Sequence, residues 1–231
     1  MIDIRAITID LDDTLWEIHP VIHRAEQRLR DWLDTFFPRT TAMFSPADAR
    51  ELRRQVVHEH PGRSHDLTFV RRTVLARMGV AAGYTDALVD DAMEIFDAAR
   101  NTVELFPEVR PALQSLRRDY VLVAVTNGNA DLGRIGISDL FHEFVSARTA
   151  GAAKPARQIF DVAVRAGGAT AEQTLHVGDH PEADVQGAHA AGLKTVWVNR
   201  NGDDWPLGLP PPHAVVDHVG QLAALLGARR R

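Results

Sequence analysis

Ala6-Ile7-Thr8-Ile9-Asp10-Leu11-Asp12-Asp13-Thr14-Leu15 decides how the rest of the chain is read. Its first four residues are short, apolar and β-branched, the pattern of a strand buried on both faces. The run ends in Asp10, Asp12 and Asp13, three carboxylates within four residues. Burying that charge is costly unless a cation or a reaction requires it. Two like charges ~4 Å apart repel by roughly 4 kcal/mol at an effective dielectric of ~20. Asp10-x-Asp12-x-Thr14 therefore reads as a site, with a solvated acidic turn as the bland alternative. A calcium loop of the EF-hand type fails, because its sixth position needs glycine and here is Leu15. Partner groups at other strand ends would separate site from turn.

The 231 residues suit one large domain or a domain carrying an insertion. Apolar residues make up 45%, enough for a packed core. The lack of cysteine excludes a disulfide framework and a thiolate metal site. No stretch approaches the ~20 apolar residues of a membrane span. A strand at the very start leaves no room for a cationic-then-apolar leader. A net charge of −5 argues against nucleic acid as the main partner. The expectation is a cytoplasmic protein, monomer or homodimer, with neither nucleic acid nor membrane as partner.

After Leu15 the apolar period changes from strand to helix. Ile22, Ala25, Leu29, Trp32, Leu33 and Phe36 recur at helical spacing between Pro20 and Phe37. Ser45 reads as an N-cap with Pro46 at the first helical position. Leu67, Val70, Val74 and Met78 mark a third helix stopped near Gly79, and Leu88, Ala92, Ile95, Phe96 and Ala99 a fourth. Four helices with no strand between them form a small bundle inserted over residues 16–101. Residues 1–15 and 102–231 then make the core.

From Phe106 strands and helices alternate, the signature of an α/β fold with a parallel sheet covered on both faces. Strands are expected at Tyr120–Val125, Phe144–Ser146, Thr174–Val177, Thr195–Val198 and near Val215. Helices are expected at 107–118, 155–166, 182–191 and 219–226, with a Gly- and Pro-rich surface loop over 199–212.

Ligands of open parallel sheets bind beyond the carboxyl ends of the strands. The strand ending at Val125 delivers Thr126-Asn127-Gly128-Asn129, a hydroxyl, an amide and free backbone donors. The strand ending at Val177 delivers Gly178-Asp179-His180-Pro181-Glu182-Ala183-Asp184. Its spacing lets Asp179 sit in the turn and Asp184 in the first turn of the next helix. Lys154-Pro155 opens the helix between these two ends. Alone each signal is weak, since Asn-Gly is a common turn and a loop lysine is usually solvated. Their serial order at successive strand ends is what makes them a site.

These residues carry a resemblance. Asp10-Leu-Asp12-Asp-Thr14, Thr126-Asn127, Lys154-Pro155 and Gly178-Asp179-x4-Asp184 resemble the four ordered motifs of the haloacid dehalogenase superfamily. The helical insert resembles that superfamily's C1 cap on a Rossmann-like core. Ile9-Asp10-Leu-Asp-Asp-Thr-Leu15, Val125-Thr-Asn-Gly-Asn-Ala130 and Leu175-His-Val-Gly-Asp179 resemble the bacterial flavin-pathway phosphatases. Those act on FMN and on 5-amino-6-(5-phospho-D-ribitylamino)uracil, so a small-molecule phosphate ester is the implied substrate.

The resemblance implies phosphoryl transfer, which is mainly positioning and charge neutralisation. Asp10 is the expected nucleophile, forming an aspartyl phosphate. Asp12 is the expected acid for the leaving alkoxide and later the base for water. Mg²⁺ prefers oxygen ligands. The expected set is the Asp10 carboxylate, the Asp12 backbone carbonyl and Asp179, with Asp184 direct or through water. Thr126 and Asn127 should hold phosphoryl oxygens, and Lys154 should offset the charge on Asp10 and the phosphate. His176 and His180 are set aside as ligands, since Mg²⁺ disfavours nitrogen.

An acid at Asp12 favours a phosphatase over a 2-haloacid dehalogenase, because halide leaves without a proton. A sugar phosphomutase on the same core remains an alternative. Specificity is expected on the insert. Trp16 either stacks on a flavin or uracil ring or packs in the interior. Arg63 and His65, near His58 and His60, either meet the phosphoribityl chain or form a solvated loop.

Overall fold

A computed structural model of the chain describes residues 4–229. The outer ends of the expected core, residues 1–3 and 230–231, lie outside the described residues. The chain divides into two compact units, residues 4–17, 104–128 and 136–229 in one, Ile18–Val103 with Asn129–Ile135 in the other.

The first unit is built on a six-stranded sheet. Its strands are β1 (Ala6–Ile9), β2 (Val121–Thr126), β3 (Glu143–Ser146), β4 (Thr174–Gly178), β5 (Lys194–Val198) and β6 (Ala214–Val216). They lie in the order β3-β2-β1-β4-β5-β6, and every neighbouring pair is parallel. All four residues of β1 are buried, as a central strand of a covered parallel sheet requires. Ile9 stands level with Ala124 of β2 and Val177 of β4. That register brings Asp10, Thr126-Asn127 and Gly178-Asp179 to one edge.

The helices of this unit are α6 (Val109–Leu116), α8 (Ala147–Ala150), α9 (Arg157–Ala166), α10 (Gly187–Ala190) and α11 (Leu222–Arg229). Ile159, Phe160 and Ala163 of α9 pack with Val123, Val125, Val145 and Leu193 in a fully buried cluster. Each of these side chains other than that of Ala163 contributes about 1.5–3 kcal/mol of burial.

The second unit is all-helical, with α1 (Ile18–Phe36), α2 (Pro38–Met43), α3 (Pro46–Glu59), α4 (Leu67–Ala81), α5 (Leu88–Arg100) and α7 (Leu132–Ile135). Ala25, Leu29 and Leu33 of α1 meet Leu88, Ala92, Met93 and Phe96 of α5. Val56 of α3 meets Val70, Val74 and Met78 of α4. The expected cap on α3 is present. Ser45 Oγ accepts from the Asp48 amide at 3.2 Å, and the Asp48 carboxylate accepts from the Ser45 amide at 2.9 Å.

Three details depart from the sequence reading. The segment 18–103 holds five helices rather than four, because α2, Pro-Arg-Thr-Thr-Ala-Met, carries no apolar stripe that periodicity could detect. α4 passes through Gly79 to Ala81. A Cβ at Gly79 would lie 2.7 Å from Leu88 Cδ2, so the residue serves close helix packing rather than termination. Asn129–Ile135, expected in the core, groups with the helices. There the Asp131 amide donates to Asn101 Oδ1 at 2.7 Å, and Arg134 pairs with Glu94 through two bonds of 2.9 and 2.8 Å.

Candidate active site

Asp10 ends the central strand, and its amide still donates to the Val177 carbonyl at 2.9 Å, so its backbone is as fixed as the sheet. A tight turn follows. The Leu15 amide donates to the Leu11 carbonyl and the Asp13 amide to the Trp16 carbonyl, both at 2.8 Å. Asp13 takes a left-handed φ of 62°, a conformation Asp tolerates better than most residues. The turn returns Thr14 to the strand end. Its buried hydroxyl lies 3.3 Å from Asp10 Oδ2 and 3.2 Å from Asp179 Oδ1 and donates to one or the other.

Lys154 is buried against the same carboxylates. Its Nζ donates to Asp10 Oδ1 and, at 2.6 Å, to Asp184 Oδ1. Asn127 holds this lysine from behind. Its Oδ1 accepts from the Lys154 amide at 2.7 Å and its Nδ2 donates to the Lys154 carbonyl at 3.0 Å. That clamp commits the Asn127 side-chain carbonyl and one of its two amide hydrogens to the Lys154 backbone, and the second hydrogen is the one a phosphoryl oxygen would need. Thr126 Oγ1 accepts from the Gly128 amide at 2.8 Å, and its own proton remains to be given.

Asp184 does not sit in an ordinary helical first turn. Pro181–Gln186 form a π-helical turn, in which the Asp184 and Val185 amides both reach the His180 carbonyl. Such turns re-aim side chains and recur at functional sites. The carboxylate is turned back over β4, where only glycine leaves room. A Cβ at Gly178 would lie 2.3 Å from Asp184 Cγ. Asp184 Oδ2 accepts from the His180 amide at 3.0 Å, while Oδ1 contacts His176 Nε2 at 3.0 Å besides Lys154. His176 Nδ1 lies 2.8 Å from Thr8 Oγ1, so the ring bridges the two central strands behind the site. His180 caps the π turn through Nδ1, which accepts from the Glu182 and Ala183 amides.

One carboxylate oxygen each from Asp10, Asp179 and Asp184 lie within 4.8 Å of one another. An all-oxygen, multiply charged donor set fits a hard cation such as Mg²⁺. Burial raises Asp10 well above the usual carboxylate range; Lys154 opposes the rise, and Asp184 and Asp179 add to it. Burial, Asp184 and Asp13 together push Asp179 up to about 6. Asp184 goes the other way. Burial works against its ionised form, but Lys154 and His176 more than offset that and hold it well below the usual range. Burial also works against the Lys154 ammonium, and Asp10 and Asp184 outweigh it, raising its pKa.

The structure thus brings Asp10, Thr126, Lys154, Asp179 and Asp184 to one sheet edge. Trp16 requires a correction. It is fully buried, and its indole N–H donates to Asp12 Oδ1 at 3.0 Å, so it has no exposed ring face for stacking on a ligand. Arg63 and His65 lie in the helical unit, where the Arg63 guanidinium covers the Phe69 ring at 3.5 Å and reaches Asp66. Thr8 and Trp197 escaped the sequence reading, which named Thr14 without giving it a role and weighed His176 only as a metal ligand. The Trp197 N–H donates to the Asp179 carbonyl at 2.7 Å and so steadies that loop. Only Thr14 carried a usable signal, its place in Asp10-x-Asp12-x-Thr14.

Comparison with known proteins agrees with this geometry. Residues 4–192 match the family described as haloacid dehalogenase-like hydrolase. The chain is 31% identical to 5-amino-6-(5-phospho-D-ribitylamino)uracil phosphatase YigB of Escherichia coli (strain K12), over 96% of each chain. It is 33% identical to glyceraldehyde 3-phosphate phosphatase of Methanopyrus kandleri, over 95% of this chain and 99% of the relative. Among solved structures, 2-haloacid dehalogenase from Pseudomonas syringae pv. Tomato DC3000 superposes with a TM-score of 0.94 at 36% identity. The match covers 99% of this chain and 100% of that one. With all four motifs gathered at one sheet edge and a family match over most of its length, the chain belongs to the haloacid dehalogenase-like hydrolases.

Proposed function

We propose that this chain hydrolyses phosphate monoesters through an aspartyl phosphate on Asp10. The observation that carries the reading is the pair of carboxylates on one turn, Asp10 against the Lys154 ammonium and Asp12 against a neutral indole N–H. Asp10 offers a nucleophile fixed at the strand end, and Asp12 a second carboxyl two residues on that can carry a proton. In the first step an Asp10 oxygen forms a bond to phosphorus, the ester P–O bond breaks, and Asp12 gives its proton to the leaving oxygen. In the second, water attacks phosphorus, its proton passes to Asp12, and phosphate leaves the regenerated Asp10 carboxylate. Lys154 balances negative charge throughout, and the Thr126 hydroxyl donates to a phosphoryl oxygen. The carboxylates of Asp10, Asp179 and Asp184 would hold Mg²⁺, which when bound neutralises charge on the phosphoryl group.

In this reading the helical unit is the cap that excludes water and reads the leaving group. The phosphate esters of flavin synthesis, FMN and 5-amino-6-(5-phospho-D-ribitylamino)uracil, are the first substrates to test, supported by the similarity to YigB. A second reading, 2-haloacid dehalogenase, is favoured by the similarity to the Pseudomonas syringae structure. Halide departs without a proton, so that reaction has no use for the Asp12 carboxyl.

The test is phosphate release over a panel of phosphorylated metabolites, beside halide release from a 2-haloacid. Phosphate release that disappears in Asp10→Asn supports the proposal. Halide release without phosphate release overturns it.

A further inference from the structure

We propose that Trp205, on the loop after β5, is a positioning residue for the metal ligand Asp179 and acts through Trp197. The inference rests on the metal site of the phosphatase reading and adds two residues behind it.

Asp179 stands just past the end of the β4 ladder. β4 closes at Gly178, level with Trp197 of β5. The Asn199 amide, just beyond β5, is given to the Val216 carbonyl of β6. The Asp179 carbonyl accepts instead from the Trp197 indole N–H at 2.7 Å. A side chain thus carries the ladder one residue further, with a donor that cannot exchange roles. Fixing this carbonyl fixes the backbone from which the Asp179 carboxylate projects. Rotation of that peptide would carry the carboxylate away from Thr14 Oγ1, 3.2 Å from Oδ1, and from the cluster with Asp10 and Asp184.

Trp197 is held in turn by Trp205. The two rings meet edge to face, with centroids 5.0 Å apart and planes at 72°, a favourable aromatic arrangement. Trp205 is a half-buried residue of a Gly- and Pro-rich loop, and the loop is built to present it. Asn199 and Asp203 exchange two hydrogen bonds of 2.9 Å across the loop's start, and the Trp205 N–H donates to the Leu209 carbonyl at 3.2 Å. Gly202 and Gly208, on either side, take left-handed φ values of 74° and 89° that turn the chain twice. Leu207, two residues on, is fully exposed, so the loop tucks in this one ring rather than its apolar residues at large.

Mn²⁺ alone is the probe, titrated calorimetrically into the metal-free protein. The variants are Trp205→Leu, site-specific replacement of Trp197 by benzothienylalanine, and the two combined. Benzothienylalanine puts sulfur where the N–H was, so it removes the donor and keeps the shape. Replacing Trp197 should weaken Mn²⁺ binding by about tenfold, the low end for outer partners of a metal ligand. Trp205→Leu should weaken it by about threefold, the scale of one aromatic pair, and should add nothing once the indole N–H is gone. A residue that only supports the fold would lower the unfolding midpoint and leave Mn²⁺ affinity where it was. Unchanged affinity in Trp205→Leu, or a threefold loss that persists in the combined variant, would overturn the role of Trp205. Absence of Mn²⁺ binding by the wild type would instead remove the metal assignment, and the proposal with it.

Discussion

Replacing Lys154 by methionine isolates the charge that holds the carboxylate cluster together. Methionine keeps the unbranched, apolar length of the side chain, and Lys154 is only 6% exposed, so packing changes little. What is lost is an ammonium shared by Asp10 and Asp184, with Asp179 also within the 4.8 Å cluster. Removing one partner of a buried pair strands uncompensated charge and costs about 3–5 kcal/mol. Part of that loss is avoided if Asp10, whose pKa burial already raises, takes up a proton. A cation that binds only the folded state restores stability, by about 2.7 kcal/mol at a hundred times its dissociation constant. Urea unfolding followed by far-UV circular dichroism, with EDTA and with Mg²⁺, measures both effects. Lys154→Met should be less stable by about 3–5 kcal/mol in EDTA. Mg²⁺ should stabilise it more than it stabilises the wild type, because the metal becomes the only counter-charge. Equal stability in EDTA would refute the reasoning.

Chelation should abolish turnover, Mg²⁺ or Mn²⁺ should restore it, and Ca²⁺, with its larger and looser coordination, should not; full activity in EDTA would remove the metal assignment. Metal affinity followed by calorimetry should weaken as pH falls through about 6, because Asp179 takes up a proton there. The same shift has a fixed sign for the metal-free protein. Asp179 binds its proton more tightly folded than unfolded, so its contribution to stability is greatest below about pH 4 and is lost as pH rises through about 6. His176→Phe should weaken Mn²⁺ binding by about 10–100-fold, since Asp184 Oδ1 loses its imidazole partner; unchanged affinity would show that His176 does not orient the carboxylate.

The core was legible wherever one residue type answers one physical demand. A β-branched run closed by carboxylates marks the central strand and the site together, and the register of β1, β2 and β4 brings the predicted strand ends level. Strand ends shifted by a residue or so, as at Thr126 and Gly178, because ladder hydrogen bonds outlast the apolar pattern. α2 stayed hidden because its polar sequence is helical by virtue of Pro38 and its neighbours rather than an apolar face. The grouping of Asn129–Ile135 with the helices depends on Arg134 meeting Glu94, forty residues away in sequence, which no local pattern encodes. His176 and Thr8 lie inside strands, where a polar side chain gives no sign of which neighbour it will face. Trp16 misled for a related reason. An aromatic beside a catalytic motif reads equally well as a ligand platform or as buried support, and only its complete burial and its bond to Asp12 decide between them.

The most direct test of the account is to find the phosphoryl group on the enzyme. Asp12→Asn, mixed with p-nitrophenyl phosphate and Mg²⁺, should still form the aspartyl phosphate, because that leaving group needs little protonation. It should then accumulate the intermediate, because the base for the second step is missing. After an acid quench, mass spectrometry of the peptides should place one phosphoryl group on Asp10, and Asp10→Asn should carry none. Phosphate release by the wild type with no phosphoryl group on Asp10 in Asp12→Asn, or with that group on another residue, would contradict the account.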